Sequence, residues 1–319
     1  MSFHIIGTGS AHPSSSVTND DLAEIMDTSD EWIYSRTGIK SRYVCTDETI
    51  TDVAAAAAQS ALENAGISAD ELDGIICPTM SSDYFTPSLA CCIQRRIGAH
   101  CPAFDLNAAC TGFIYALDAA DGFFARGRAK KMLVVAGENM SKLLDWHDRS
   151  TCCLFGDGAG AVVLAEGDGL LSIHIAARGD EQTMFVPSVS GNSPFMLNRK
   201  PDQLGLIWNG QDVYRFAVGE MTEQLKAGIE DAGLKPEDVT WVLPHQANLR
   251  IIDTAIKHLG IPSERFLTNI EHYGNTSSAA IPILMDEFNR KGTFHRGDIL
   301  ALVAFGGGLT SGSCLIRWG

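Results

Sequence analysis

Two spacings of apolar residues alternate along this chain. Leu133-Val134-Val135-Ala136, Ala161-Val162-Val163-Leu164 and the run from Leu300 to Phe305 are strand-sized and carry no polar face, the pattern of strands covered on both sides of a sheet. Pro102-Ala103-Phe104-Asp105-Leu106 reads as a further short buried strand. Between such runs apolar residues recur at helical intervals, at Phe113, Ala116, Leu117, Ala120 and Phe124, and again at Leu249, Ile252, Ile256 and Leu259. The alternation predicts an α/β fold with helices packed on largely buried strands.

The plan occurs twice. Ala61 to Asp73 is a helix end, a glycine stop at Gly66 and an acidic linker leading to the strand Gly74-Ile75-Ile76-Cys77. Gly228 to Val239 repeats it, with Gly233 as the stop, before Trp241-Val242-Leu243. The offset of 167 residues also sets Leu133–Ala136 against Leu300–Val303, so a duplicated α/β unit is predicted. The glycine-rich turn Glu166-Gly167-Asp168-Gly169 marks the boundary, giving halves 1–166 and 167–319. No low-complexity linker separates them, so they should pack tightly. The stretch from Gly179 to Asn209 lacks period and is rich in Ser, Pro, Asn and Gly, which suggests a long insertion or cap.

Composition narrows the function. The 319 residues are 45% hydrophobic and 20% charged, and no run reaches membrane-span length. The first six residues have no basic region or cleavable apolar segment, so no signal peptide is expected. Nine cysteines, an odd number with adjacent pairs at Cys91-Cys92 and Cys152-Cys153, suit a reducing cytoplasm better than a disulfide framework. No C-x-x-C spacing or histidine cluster points to a metal. A net charge of −15 argues against nucleic acid as a partner. An anionic ligand must then be held by a local basic patch working against the global field.

Four segments carry candidate chemistry. Cys110, in Asn107-Ala108-Ala109-Cys110-Thr111-Gly112-Phe113, falls at a strand-to-helix junction, where unpaired N–H groups and the helix dipole favour a thiolate. A small buried hydrophobe is the other reading of a free cysteine there. His245 stands at the C-terminal end of an apolar strand, where open α/β sheets collect ligands. Asn275 follows a glycine, either as an ordinary turn or as an amide donor to a developing enolate. Gly306-Gly307-Gly308 ends a strand, as a tight turn or as a loop presenting N–H groups to an oxyanion. Gly7-Thr8-Gly9 has His12 where a dinucleotide fingerprint needs its third glycine. Gly156-Asp157-Gly158-Ala159-Gly160 precedes a strand, so neither is a nucleotide loop.

These segments, in this order, resemble β-ketoacyl-acyl-carrier-protein synthase III of the thiolase-like superfamily. The resemblance adds Asp27-Thr28-Ser29-Asp30-Glu31-Trp32-Ile33 with Arg36-Thr37-Gly38-Ile39, Phe155 to Ala161, Pro244 to Asn248 and Tyr273 to Ser277. It implies two similar halves in five α-β-α-β-α layers, usually a homodimer. It also implies an acyl-coenzyme A substrate, a malonyl-acyl-carrier protein partner and no cofactor. Cys110, His245 and Asn275 would be catalytic, with the Cys110 and Gly306 N–H groups as the oxyanion hole. Thr28, Trp32, Arg36, Arg149, Gly210, Tyr214, Ala247 and Asn248 would bind coenzyme A, Trp32 and Arg149 sandwiching the adenine. Phe85 and Leu309 would shape the acyl pocket, and Arg215, Arg250 and Lys257 would dock the carrier protein. Tyr214 stands where relatives often have Phe. The same motifs fit a starter synthase of polyketide or secondary metabolism, and an inactive scaffold would keep the fold without the chemistry. A thiolase would need a second catalytic cysteine, and Cys314 is the only late one.

Overall fold

The computed structural model describes residues 2–188, 195 and 205–319. Side-chain alternation along the apolar runs sorts them into separate cores. In the strand Lys131–Glu138, Leu133 and Val135 face one core, while Met132 and Val134 face another that they share with Leu300 and Leu302 from the far end of the chain. A strand buried on both faces needs no polar positions.

The first sheet uses β1 (Ser2–Ala11), β2 (Gly74–Pro78), β3 (Ala103–Leu106), β4 (Lys131–Glu138) and β5 (Gly158–Gly167), in the order β1-β5-β4-β2-β3. The second uses β6 (Leu170–Asp180), β7 (Trp241–Pro244), β8 (Ile299–Gly306) and β9 (Gly308–Arg317), in the order β7-β8-β9-β6. A helix near the N-terminus, α1 (Asp30–Thr37), lies apart from the sheets. The outer face of the first sheet is covered by α2 (Ile50–Ala65) and α3 (Leu89–Ile97). Between the sheets lie α4 (Gly112–Ala125) and, later in the chain, α7 (Ala280–Arg290). The second sheet is covered by α5 (Gly210–Asp231) and α6 (Leu249–Ile256). The result is five layers. The central one joins the halves, burying Ile76, Phe113, Leu117 and Val162 with Leu243, Ile281, Leu284 and Cys314. The chain passes from the first sheet to the second between Gly167 and Leu170.

Two sequence expectations need correction. Ile76 and Leu243, 167 residues apart, both face the central layer, but their ladder partners Val134 and Leu302 are 168 apart. The match of Leu133 with Leu300 is therefore one residue out of register, because an unbroken apolar run shows no alternation by which to set it. The strand predicted at 102–106 is not buried. It is the sheet edge, paired on one side only, with Phe104 37% exposed. The second sheet has at that place only an isolated bridge between Val242 and Phe266.

In the irregular stretch, β6 runs on to Asp180, and Met184–Phe185 pairs with Ile207–Trp208. The rest of the expected cap, 189–194 and 196–204, lies outside the described residues. Among the described residues no helix is long and apolar enough to cross a membrane.

Close approach of β1 to α2 explains the glycines near the N-terminus. A Cβ on Gly9 would lie 2.3 Å from Ala57 O and Ala61 N, and the facing helix is lined with alanines. Gly9→Ala is expected to lower stability by about 3 kcal/mol or more in urea unfolding, the upper end of overpacking costs. Gly219→Ala, on the open face of α5 where nothing lies within 4 Å, should raise it by roughly 0.5–1 kcal/mol.

Candidate active site

Cys110 is placed by a strained bend. After β3, Asn107 Oδ1 accepts a hydrogen bond from Ala109 N at 3.2 Å, and Ala109 adopts φ +48°, a conformation that costs an L-residue on the order of 1–2 kcal/mol. A single 3₁₀ turn, Ala109–Thr111, then leads into α4. The second half reaches in to hold this bend. Thr310 Oγ1 lies 3.1 Å from Ala108 O, 3.0 Å from Thr111 Oγ1 and 3.2 Å from Gly307 O. Gly306 is closer still: a Cβ there would sit 2.8 Å from Cys110 N. Only glycine lets the two backbones approach so closely.

The thiol is not pre-ionised as its position before a helix suggested. Burial pushes its pKa up to about 12; Ser277 lowers it, and the nearby Glu138 carboxylate raises it further. Desolvation of a thiolate outweighs the favourable helix end.

His245 follows β7, and its N–H donates to Val303 O at 2.8 Å. The imidazole is buried edge-on to Phe305, with ring centroids 5.5 Å apart, and Nδ1 has no hydrogen-bond partner among the described residues. Burial alone lowers its pKa to about 3, so the ring is neutral at neutral pH and offers one N–H. Asn275 is clamped to the first half through its backbone. Its N–H donates to Leu154 O at 2.8 Å, and its C=O accepts from Gly156 N at 3.1 Å. Gly156 must be glycine, since a Cβ would meet Tyr273 O at 2.3 Å. The glycine-rich loop rejected as a phosphate site is thus a seam between the halves. Ser277 N donates to Asn275 Oδ1 at 2.9 Å, which leaves the Nδ2 hydrogens as donors.

Cys110, His245 and Asn275 line one cavity of about 870 Å³. Trp32, Arg36, Phe85, Gly210, Tyr214, Ala247 and Asn248 line it as well, within the range of small-molecule sites. Other expected residues stand elsewhere. Thr28 does not line the cavity. Arg149 sits at the rim stacked on Trp32, 4.9 Å from the ring centroid, and holds the Asp27 carbonyl. No adenine slot is open between the two. Leu309 is buried with its side chain off the cavity wall, and its neighbours Gly308 and Thr310 line it instead. This follows from the alternation along β9. Arg215 pairs with Asp212, Arg250 donates to Ser35 O at 2.8 Å, and Lys257 is exposed one residue past α6. Tyr214 Oη and Thr254 Oγ1, 2.8 Å apart, tie α5 to α6. The sequence reading missed Thr310, Met184, Trp208 and the buried Glu138. Of these only Glu138 left a signal, a carboxylate ending an apolar strand.

Two duplicated halves sharing a central layer, with a cysteine before one of its helices, define a thiolase-like condensing enzyme. Family models described as "3-Oxoacyl-[acyl-carrier-protein (ACP)] synthase III" and its "C terminal" match residues 104–179 and 229–318. The β-ketoacyl-[acyl-carrier-protein] synthase III of Clostridium acetobutylicum is 47% identical, covering 99% of each chain. The solved 3-oxoacyl-[acyl-carrier-protein] synthase III of Aquifex aeolicus superposes with a TM-score of 0.91 at 44% identity, over 99% of this chain and 100% of that one. The priming β-ketosynthase of the R1128 polyketide pathway gives 0.91 at 34% identity, over 99% and 96%. The chain belongs to the β-ketoacyl-[acyl-carrier-protein] synthase III family, acyltransferases that act as initiating condensing enzymes of fatty acid synthesis.

A histidine depressed to about 3 stays neutral through the working range. Its ring resonances should therefore show no titration between pH 5 and 8 by NMR. A titration with a midpoint near the ordinary histidine pKa of about 6.5 would contradict this.

Proposed function

We propose that the protein starts fatty acid chains from a short acyl-coenzyme A, acetyl-coenzyme A in the first instance. The Cys110 sulfur attacks the thioester carbonyl. The tetrahedral oxyanion is met by the N–H groups of Cys110 and Gly306, and its collapse expels coenzyme A, whose sulfur takes up the proton lost from the Cys110 thiol, and leaves acyl-Cys110. Malonyl-acyl-carrier protein then enters. Its C–C bond to carbon dioxide breaks, and the electron pair becomes an enolate whose oxygen accepts hydrogen bonds from His245 and Asn275 Nδ2. The enolate carbon attacks acyl-Cys110, displaces the sulfur, which takes a proton from solvent to become the thiol again, and yields the 3-oxoacyl product. Splitting one transfer into two is the gain of covalent catalysis. No step calls for a metal or redox cofactor.

The observation that carries this reading is the convergence of the three side chains on one cavity with Trp32 and Arg36 at its mouth. Both polar partners suit neutral hydrogen-bond donation, since His245 is uncharged and Asn275 Oδ1 is already occupied. Coenzyme A binding requires Arg149 to lift from Trp32 and release Asp27. Arg215, Arg250 and Lys257 are the local cations that an acidic chain would offer to an acidic carrier protein. The unpaired edge of β3, with exposed Phe104, and the exposed Tyr84 and Phe85 support a homodimer. The halves 1–166 and 167–319 are its duplicated units. All nine cysteines are free, which suits the cytoplasm.

The likeness to a polyketide-priming enzyme keeps a different primer as the second reading. Intact-protein mass spectrometry over a panel of acyl-coenzyme A thioesters separates the two. An acetyl adduct that forms fastest is expected, and branched or longer adducts instead would favour the second reading. Cys110→Ala should give no adduct. His245→Ala and Asn275→Ala should acylate but lose condensation, each by roughly 10²–10³-fold. Equal loss of acylation in all three variants would contradict the division of labour, and no adduct with any thioester would leave a scaffold.

A further inference from the structure

The 168-residue spacing that relates the central strands also relates two bends. Ala109 and Ser277 are the non-glycine residues with positive φ among those described, at +48° and +52°. Each opens a 3₁₀ turn that enters a central helix, Ala109–Thr111 into α4 and Ser277–Ala279 into α7. By this correspondence Ser278 stands where Cys110 stands, and Glu138, ending β4, stands where Gly306 ends β8. The contacts between the halves correspond too. The Gly306 end of β8 presses on the Cys110 bend, and the Glu138 end of β4 meets the Ser277–Ser278 bend. Where one copy brings the backbone in at a glycine, the other reaches in with a carboxylate.

That carboxylate is fully buried. Ser278 Oγ donates to Glu138 Oε1 at 2.7 Å. Met80 N donates to Oε2 at 3.1 Å, Thr79 Oγ1 lies 3.3 Å from the same oxygen, and Ser81 Oγ also donates to it. No salt bridge to Glu138 occurs among the described residues. Neutral donors hold it, and burial still raises its pKa. A buried polar network satisfied in this way rigidifies the backbone around it. The geometry it touches is that of Asn275. Ser278 anchors the strained Ser277, whose N–H holds Asn275 Oδ1 at 2.9 Å and so sets the direction of Nδ2. The backbone of the Cys110 bend is held by Asn107 and Thr310, while Ser277 and Glu138 act on its thiol, the one lowering and the other raising its pKa.

We propose that Glu138 is a positioning residue for the condensation half-reaction, acting through Ser278 and Ser277 on the Asn275 amide while leaving acylation of Cys110 to other contacts. This rests on the assignment of Asn275 to condensation.

The test compares Glu138→Gln, Glu138→Ala, Ser278→Ala and the double variant Glu138→Gln/Ser278→Ala with Asn275→Ala. Acylation by acetyl-coenzyme A is followed by intact mass, and single-turnover condensation of the acylated enzyme uses malonyl-acyl-carrier protein. Acylation should not fall, since losing the carboxylate only eases ionisation of Cys110, while condensation falls about 10–100-fold in Glu138→Ala and less in Glu138→Gln, as for other small misplacements of a catalytic group. The double variant should fall no further than its worse single. Normal condensation in the Glu138 and Ser278 variants beside a dead Asn275→Ala would overturn the proposal alone. An active Asn275→Ala would instead overturn the assignment on which it rests. Equal loss of both half-reactions would make Glu138 merely structural. If neither Glu138 variant folds, Ser278→Ala decides, since it leaves the other three contacts of Glu138 in place.

Discussion

The approach of Gly306 to the backbone of Cys110 is the contact on which the rest of the site depends. It brings the last residue of a strand in the second half against the first turn of a helix that follows the first sheet. A methyl group would not fit between them, as a Cβ would stand 2.8 Å from Cys110 N. The central layer exists to make that contact. Its apolar side chains come from both sheets and both central helices, and their burial holds the halves in one register. A reciprocal seam, Leu154 to Gly156 against Asn275, ties the second half to the first through two backbone hydrogen bonds. The cysteine and the amide are each carried by one half and held by the other.

Burial then sets the electrostatics. The same desolvation raises the Cys110 thiol to about 12 and lowers His245 to about 3, so the site holds neutral groups where solvent-exposed ones would be partly charged. Neutral, fixed donors suit the proposed reaction, in which charge appears only in the oxyanion and the enolate, because they need little reorganisation when it does. Two basic side chains, Arg36 and Arg149, stack on Trp32. In a chain of net charge −15 they are a local exception.

Much of this was legible in the sequence. The unbroken apolar runs and the repeated helix–glycine–strand phrase predict the duplicated α/β plan. The resemblance to a known family supplies the five layers and points to Cys110, His245 and Asn275. What the sequence could not show depends on distances across the chain. The register slip from 167 to 168 is invisible in a run without alternation. Leu309 and Thr310 differ only in which face of β9 they occupy. The direct stacking of Arg149 on Trp32 and the desolvation of Cys110 follow from packing that no local motif encodes. Glu138 was overlooked because its partners, Thr79, Ser81 and Ser278, are scattered along the chain.

The central claim, that catalysis requires the two halves to meet backbone to backbone at Gly306, is tested most directly by the acylation rate of Gly306→Ala. The account predicts a folded protein with coenzyme A binding retained, whose transfer of acetyl from acetyl-coenzyme A to Cys110 is slowed by roughly 10²-fold or more, because the added Cβ pushes the Gly306 N–H away from the oxyanion. A Gly306→Ala protein that acylates at the wild-type rate would contradict it.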